Sequence, residues 1–208
     1  MTESGVRFDG PRQSRSGHSV IEAVTALAVL GTIMIIGAPA LDDARCGAAL
    51  DRATAQIHGL LVRSRAVAVL RGRACAVVFD RAADGSWSCF VAEDGDGDGV
   101  RRTDIGSGRD PITGVVVRLE AGAAGPCILT GGTVPDPAGR GALGGDPADP
   151  IRAGRGDIIT FSPHGTATPS SIYLCDSRRR MIVLRVYGGT GRINTLAWRF
   201  GLDGWQQR

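Results

Sequence analysis

The stretch from Ala23 to Ala40, AVTALAVLGTIMIIGAPA, runs for eighteen residues without a charge. No other feature limits so sharply what this chain can become. As a helix it would rise about 27 Å, close to the roughly 30 Å of a bilayer's hydrocarbon. It lacks the polar face that a helix lying on a soluble core would carry. Yet an acid, Glu22, stands at its leading edge. Three readings are open. The run is a buried core helix, or a membrane helix that the protein keeps, or a secretory signal cut at Ala38-Pro39-Ala40 before Leu41. Arg7, Arg12 and Arg15 precede it, as a signal would require. Pro39 is expected to kink or stop the helix.

From Asp42 to Leu70 the pattern stays helical but becomes two-sided. Cys46, Ala49, Leu50, Ala53, Ile57, Leu60, Leu61, Ser64, Val67 and Ala68 recur at spacings of three and four. Arg45, Asp51, Arg52, Gln56, Arg63 and Arg65 fall between them, so one face should pack and the other stay wet. The RGR at Arg71–Arg73 ends the pattern. Beyond it come short β-branched or aromatic runs bounded by Gly, Pro, Asp or Ser: ACAVVFD, SWSCFVAED, GVVVRLE, CILTG, DIITFSP, SIYLCDS, MIVLRVYG and INTLAWRF. Ser171–Ser177 and Met181–Gly188 are close enough for a hairpin across RRR. Gly131–Pro150 is almost all Gly, Pro, Ala and Asp and reads as a long surface loop. The expected fold class is therefore α+β, a long N-terminal helix followed by a mostly antiparallel β-sheet domain. The 31 glycines and 5% aromatics suit strands joined by many turns.

Candidate chemistry is sparse. Asp94, Asp96 and Asp98, followed by Gly99, form the D-x-D-x-D-G pattern in which carboxylates converge on a hard cation such as calcium. Ile105 stands where an EF-hand has its closing glutamate, so Asp104 or Asp110 would supply the last ligand. The alternative is a solvated turn neutralised by Arg101 and Arg102. Gly139–Gly144, GRGALG, fits G-x-G-x-x-G in letters only, because turn formers flank it where a strand and a helix are needed. Ser162 and His164 share a tight turn with no acid placed beside them, and His58 lies on or near the helix face. Nothing assembles into an active site, and no cofactor motif is present apart from the calcium-like loop.

All 24 basic residues are arginine, and the net charge of +3 does not by itself call for a polyanionic partner. The usual fate of Arg178-Arg179-Arg180 between two strands is a solvated hairpin turn. The five cysteines make no CxxC pair. A hairpin centred on Asp84-Gly85 would set Cys89 opposite Asp80, which argues against a Cys75–Cys89 bond and leaves Cys127–Cys175 open.

The segment G-HSVIE-AVTALAVLGTIMIIGAPAL resembles the leader and first helix of type IV pilins and pseudopilins. LLVRSRAVAVLRGRACAVVFD is similar to the helix-to-strand join of the GspH/FimT group of minor pseudopilins. ITFSPHGTATPSSIYLCDSRRRMIVLRVYGGTGRINTLAW is similar to that group's C-terminal sheet, with Phe161, Pro163 and Gly165 as its F-x-P-x-G turn and Gly191-Arg192 as its late Gly-Arg. The resemblance implies a leader of residues 1–17 removed by a prepilin peptidase, with cleavage between Gly17 and His18. His18, where the family customarily has phenylalanine, would become the methylated N-terminus. Residues 18–40 would be the transmembrane helix, 41–71 its amphipathic continuation and 72–208 a periplasmic β domain. Glu22, as fifth mature residue, would meet the α-amino group of a neighbouring subunit, and Pro39 falls where many pilins have a kinking proline. An acid in hydrocarbon is expensive unless paired, which gives that role its physical sense.

Further implications concern partners and place. The resemblance implies a structural, non-enzymatic subunit of a type II secretion pseudopilus or type IV pilus, anchored in inner-membrane lipid and assembled with other major and minor pseudopilins. Some pseudopilins bind calcium. Some FimT-like pilins take up DNA through Gly-Arg-x-Arg, here Gly191-Arg192-Ile193-Asn194 with the second arginine missing. A DNA-uptake minor pilin, with Arg192 as contact, is thus one alternative. A secreted calcium-binding β domain released after Ala40 is another.

Overall fold

The computed structural model describes residues 19–119, 124–139, 141–154 and 156–208. The expected cleavage between Gly17 and His18 lies outside the described residues. Helix α1 spans Val20–Arg71, and two compact units divide between Asp42 and Asp43. Within the first, the backbone stays helical through Pro39. Of the kink or stop expected at Pro39, the stop does not occur: proline removes one backbone donor, and the turns on either side carry the helix on.

The second unit, Asp43–Arg208, holds the core. Leu50, Ala53, Ile57, Leu60, Leu61, Ser64 and Ala68 are the buried stripe of α1, at the spacing of one helical face. Gly72, with φ +66°, ends the helix in the left-handed conformation that a C′ residue favours. Arg71 in the last turn reaches the Glu93 carboxylate at 2.6 Å.

Two antiparallel sheets follow. The first has the order β3-β2-β1-β6, from β1 (Cys75–Arg81), β2 (Trp87–Glu93), β3 (Ile112–Leu119) and β6 (Ile158–Phe161). The second has the order β10-β9-β8-β7-β4, from β4 (Gly125–Pro126), β7 (Ser170–Cys175), β8 (Arg180–Val186), β9 (Ile193–Arg199) and β10 (Gln206–Gln207). The short β5 (Ile151–Arg152) also pairs with β7, and a one-and-a-half-turn helix α2 (Arg102–Ser107) lies between β2 and β3. The hairpin expected across RRR is β7–β8, with Cys175 opposite Met181. The run CILTG is not a strand. Pairing stops at Pro126, and Cys127 continues with one bond from its N–H to the Tyr173 carbonyl.

The alternation of strands sorts side chains into three clusters. Val77 and Phe79 of β1, Ile172 and Leu174 of β7, and Ile182 and Leu184 of β8 join the α1 stripe in one core. Ala76, Val78, Phe90 and Ala92 face the other side of the first sheet with Val100. Tyr173, Cys175, Met181, Val183 and Trp198 face the other side of the second. Strands covered on both faces read as continuous apolar runs, which is why MIVL carries no polar alternation. Each fully buried Leu or Ile is worth about 2 kcal/mol, against about 1 kcal/mol or less for an exposed ion pair, so this packing sets the fold.

Gly131–Pro150 is largely without regular structure, but it is more than a surface loop. Val134 is buried in the Trp198 cluster, a Pro135–Ala142 bridge pinches the segment, and Trp205 Nε1 donates to the Pro135 carbonyl at 2.7 Å. A Cys127–Cys175 disulfide, Cα–Cα 5.5 Å, ties the segment's start to β7. Cys46, Cys75 and Cys89 are free thiols. The expected register of the first hairpin is off by one: Cys89 opposes Phe79, and Asp80 opposes Ser88. The loop is three residues, Ala83–Gly85, with Gly85 at φ +82°, the three-residue hairpin with a left-handed last residue. Burial pushes the Cys89 thiol up to about 12.

Arginines lie flat where glycines leave room. A Cβ on Gly47 would stand 2.9 Å from the Arg180 guanidinium, and one on Gly114 (φ +84°) 2.8 Å from that of Arg63. Arg180 is held in place, donating to Asp176 at 2.6 Å and to the Asp43 carbonyl at 2.9 Å. Arg208 pairs with Asp51 at 2.5 Å, and that hydrogen bond holds the Asp51 carboxyl below its ordinary range.

Reducing or removing the disulfide, as in Cys127→Ser with Cys175→Ser, should lower stability by about 4 kcal/mol, from the size of the loop it closes. Urea unfolding measures this, and Trp205 emission should shift as the outer layer loosens. Asp51→Asn should cost less than about 1 kcal/mol at neutral pH because the pair is largely exposed. A carboxyl with a lowered folded pKa stabilises above its unfolded value near 3.9 and loses that contribution as pH falls, so the variant and parent should converge in acid.

Candidate functional site

Three places hold the expected functional residues. The first is the start of α1. Ser19 caps it: its Oγ accepts from Ile21 N at 3.4 Å and its carbonyl from Glu22 N at 2.9 Å. Glu22 therefore sits at the third helical position of an S-x-x-E sequence, where an acid also suits the helix dipole. That second reason for Glu22 was legible from Ser19–Glu22 and is independent of any partner.

Val20, Ile21, Leu27, Met34, Ile35 and Ile36 are each about 70% or more exposed. The first buried residue of α1 is Leu50. The hydroxyls in the run turn inward, Thr25 donating to the Glu22 carbonyl at 2.9 Å and Thr32 to the Ala28 carbonyl at 2.8 Å. Such back-bonding leaves little polar demand toward hydrocarbon. The helix is long and apolar enough to cross a membrane.

The second place is the loop between β2 and β3. One carboxylate oxygen each of Asp94, Asp96 and Asp98 lies within 4.8 Å of the others, a set that could hold a hard cation. Each is also engaged within the chain. Asp94, 6% exposed, accepts from Gly97 N at 2.7 Å and Gly99 N at 3.1 Å. Asp98 pairs with Arg101, and Arg109 lies 4.0 Å from Asp96. A hydrogen bond from Asp98 holds Asp96 below its ordinary range. Loss of water, then that same bond, pushes Asp98 up.

Asp104 is not one of that set; it is buried in α2 with Arg109 at 3.1 Å, the arginine that also approaches Asp96. Asp110, fully buried, accepts from Gly95 N at 3.0 Å and Arg101 N at 2.9 Å and closes the loop at its base. Arg102, expected to neutralise the aspartates, instead reaches Asp80 and the Phe79 carbonyl. An arginine next to an acidic loop is not bound to face it, and the first turn of α2 carries this one toward β1.

The third place is the turn before β9. Arg192 is exposed, and its carbonyl accepts from Tyr187 N at 2.9 Å. A Cβ on Gly191 would meet the Gly165 carbonyl at 2.5 Å and Arg65 at 3.2 Å, so this turn abuts the His164 turn and the helix. No carboxylate occurs in 52–79, 158–175 or 177–202. Ser162 Oγ is engaged by its own turn, 2.7 Å from the Thr166 hydroxyl and accepting from His164 N at 3.2 Å. A nucleophile would need that oxygen oriented by a base, and His164 meets it through its backbone N–H.

Against this geometry, the profile of one family, type II transport protein GspH, matches residues 53–189. The match takes in α1 from Ala53 onward and the strands from β1 to β8. This chain belongs to the GspH family. No curated protein and no solved structure matches it. The GspH family is structural, and membership implies assembly with other pseudopilins of a type II secretion system. The apolar start of α1 and the family together fit a membrane-anchored protein with a periplasmic domain. The matched range begins after Glu22 and Pro39 and ends before Arg192.

Asp94→Ala should lower stability by about 1–3 kcal/mol, because two backbone amides lose a charged acceptor. Urea unfolding in EDTA reads that loss alone. A larger loss in calcium than in EDTA would add a bound cation to the role of Asp94.

Proposed function

We propose that this chain is a minor pseudopilin of a type II secretion system. It is made as a precursor, cut by a prepilin peptidase after Gly17, and held in the inner membrane by residues 18–40 with its β domain in the periplasm. The observation that carries this reading is the pairing of a GspH-family domain with an exposed apolar helix at its N-terminal side. Helix continuity from Val20 to Arg71 supports retention of the run, since a cut after Ala40 would fall inside helical backbone.

In this reading the Glu22 carboxylate, at the edge of hydrocarbon, gains a partner when a neighbour's α-amino group meets it. Assembly and charge pairing then become one event. Exposed apolar side chains from Val20 to Leu41 exchange lipid for the helices of adjacent subunits, while the β domain presents loops to other pseudopilins.

A second reading, a DNA-uptake minor pilin, is favoured by one observation. Arg65 of α1 lies against Gly191, the neighbour of Arg192, and both come from segments that carry no carboxylate. Its signature would be duplex binding that weakens steeply with salt and is lost in Arg192→Ala.

Mass spectrometry of protein from native cells should find a mature chain starting at His18, carrying a methyl group. A chain starting at Leu41 would replace the pseudopilin with a secreted domain. Glu22→Ala should leave folding and processing intact and abolish incorporation into filaments, measured by shearing and immunoblotting. Unchanged incorporation would refute the role given to Glu22.

A further inference from the structure

The packed half of α1 has an apolar ridge that the core does not use. The buried stripe from Leu50 to Ala68 meets the sheets. On the opposite side Val62, Ala66 and Val69 recur at spacings of four and three and are exposed, Val62 by 46% and Val69 by 53%. Leu70, beside them, is 83% exposed. A helix face left to water would carry polar residues there.

Two arginines flank the ridge, about 80° round the helix on either side. Each is seated on a glycine of a different strand or turn. The Arg63 guanidinium rests on Gly114 of β3, where a Cβ would come within 2.8 Å of it, and Arg65 rests on Gly191, where a Cβ would stand 3.2 Å from its Nε. Seating fixes both side chains but gives neither a counter-charge. Among the described residues neither forms an ion pair. No carboxylate occurs in 52–79, 111–119 or 177–202. Asp80 and Glu93, the acids on β1 and β2, are already engaged by Arg102 and Arg71.

Resting on the pseudopilin reading above, we propose that this face of α1 receives an amphipathic helix of a different pseudopilin, one with carboxylates on both sides of its own apolar ridge. The period of the ridge suits helix-on-helix packing, and charges that flank an apolar seam decide which helices pair. A second copy of this chain does not meet the description. Face to face it would set arginines against arginines, and the acids of its α1 in this unit, Asp43 and Asp51, are held by Arg180, Arg199 and Arg208. Duplex DNA would answer the arginines but leave Val62 and Val69 uncovered. The face thus selects an unlike, acidic neighbour.

Photo-crosslinking of the full chain in native cells tests this, with benzoylphenylalanine at position 66. The expected adduct is with another pseudopilin, mapped to a helix that has Asp or Glu within about four residues on both sides. Arg63→Glu with Arg65→Glu should lower the yield about tenfold, the scale of two exposed ion pairs. Changing the mapped acids of the partner to arginine should restore it. Val62→Ser with Val69→Ser, which leaves every charge in place, should lower the yield too. These side chains are exposed, so the urea midpoint should stay at the parent's value. Arg63→Gln with Arg65→Gln, closer in shape, should give an intermediate yield. An adduct with a second copy, with DNA, with lipid or with a helix lacking acids, no adduct, or a yield indifferent to charge reversal would overturn the proposal. Absence of the chain from sheared filaments would instead refute the pseudopilin reading beneath it.

Discussion

The buried face of α1, from Leu50 to Ala68, is where the inner sides of both sheets come together. Neither sheet is large, and β6 contributes only four residues. What joins them is a common hydrophobic partner. Leu61 and Ile57 are fully buried, and around them Phe79, Phe161, Ile172 and Leu184 arrive from different strands. Register follows from this. A strand slipped by one residue would turn Val77 and Phe79 outward and leave Ala76 and Val78 too small to fill the space.

The same helix meets a different condition before Asp42. There the large apolar side chains are exposed, and the hydroxyls are closed on the backbone. Two stretches of one helix thus satisfy the hydrophobic effect in separate ways. The later one is satisfied inside the chain, by strands that come after it in sequence. The earlier one is left for an apolar medium or for other helices, which is the division of labour a subunit of an assembly needs. Among the described residues, every core cluster begins at Leu50 or later.

Much of this was legible because the periodicities are strong. The change from an unbroken apolar run to a three-and-four pattern announced where packing begins, and β-branched runs announced β1, β2, β7, β8 and β9. The misreadings have local causes. At Pro39, where a kink or a stop is expected, the stop is absent because a single lost donor weighs little in a 52-residue helix. The first hairpin was placed one residue out because Asp84-Gly85 suggests a two-residue turn, whereas Gly85 closes a three-residue one. CILTG reads as a strand on composition, but pairing with β7 ends at Pro126, and Cys127 keeps only one backbone bond and a disulfide to that strand, tertiary contacts that no local pattern carries. The roles of Asp110 and Asp43 were hidden for the same reason. One closes a loop that starts fifteen residues earlier, and the other meets arginines more than a hundred residues away.

The seating of arginines on glycines reaches beyond this one molecule. At Gly47 and Gly114 the absent side chain is filled by the guanidinium of Arg180 and Arg63. Arg180 is also the link between Asp176 and Asp43, so its seat cannot be narrowed without disturbing both acids. A lysine has neither the flat shape nor the forked donors to take the same place. A methyl group at position 47 would press on a guanidinium that two acids already hold in place. Over evolutionary time, a relative that gains a methyl group at the position of Gly47 should also have abandoned the arginine at 180, and the two columns should drift together.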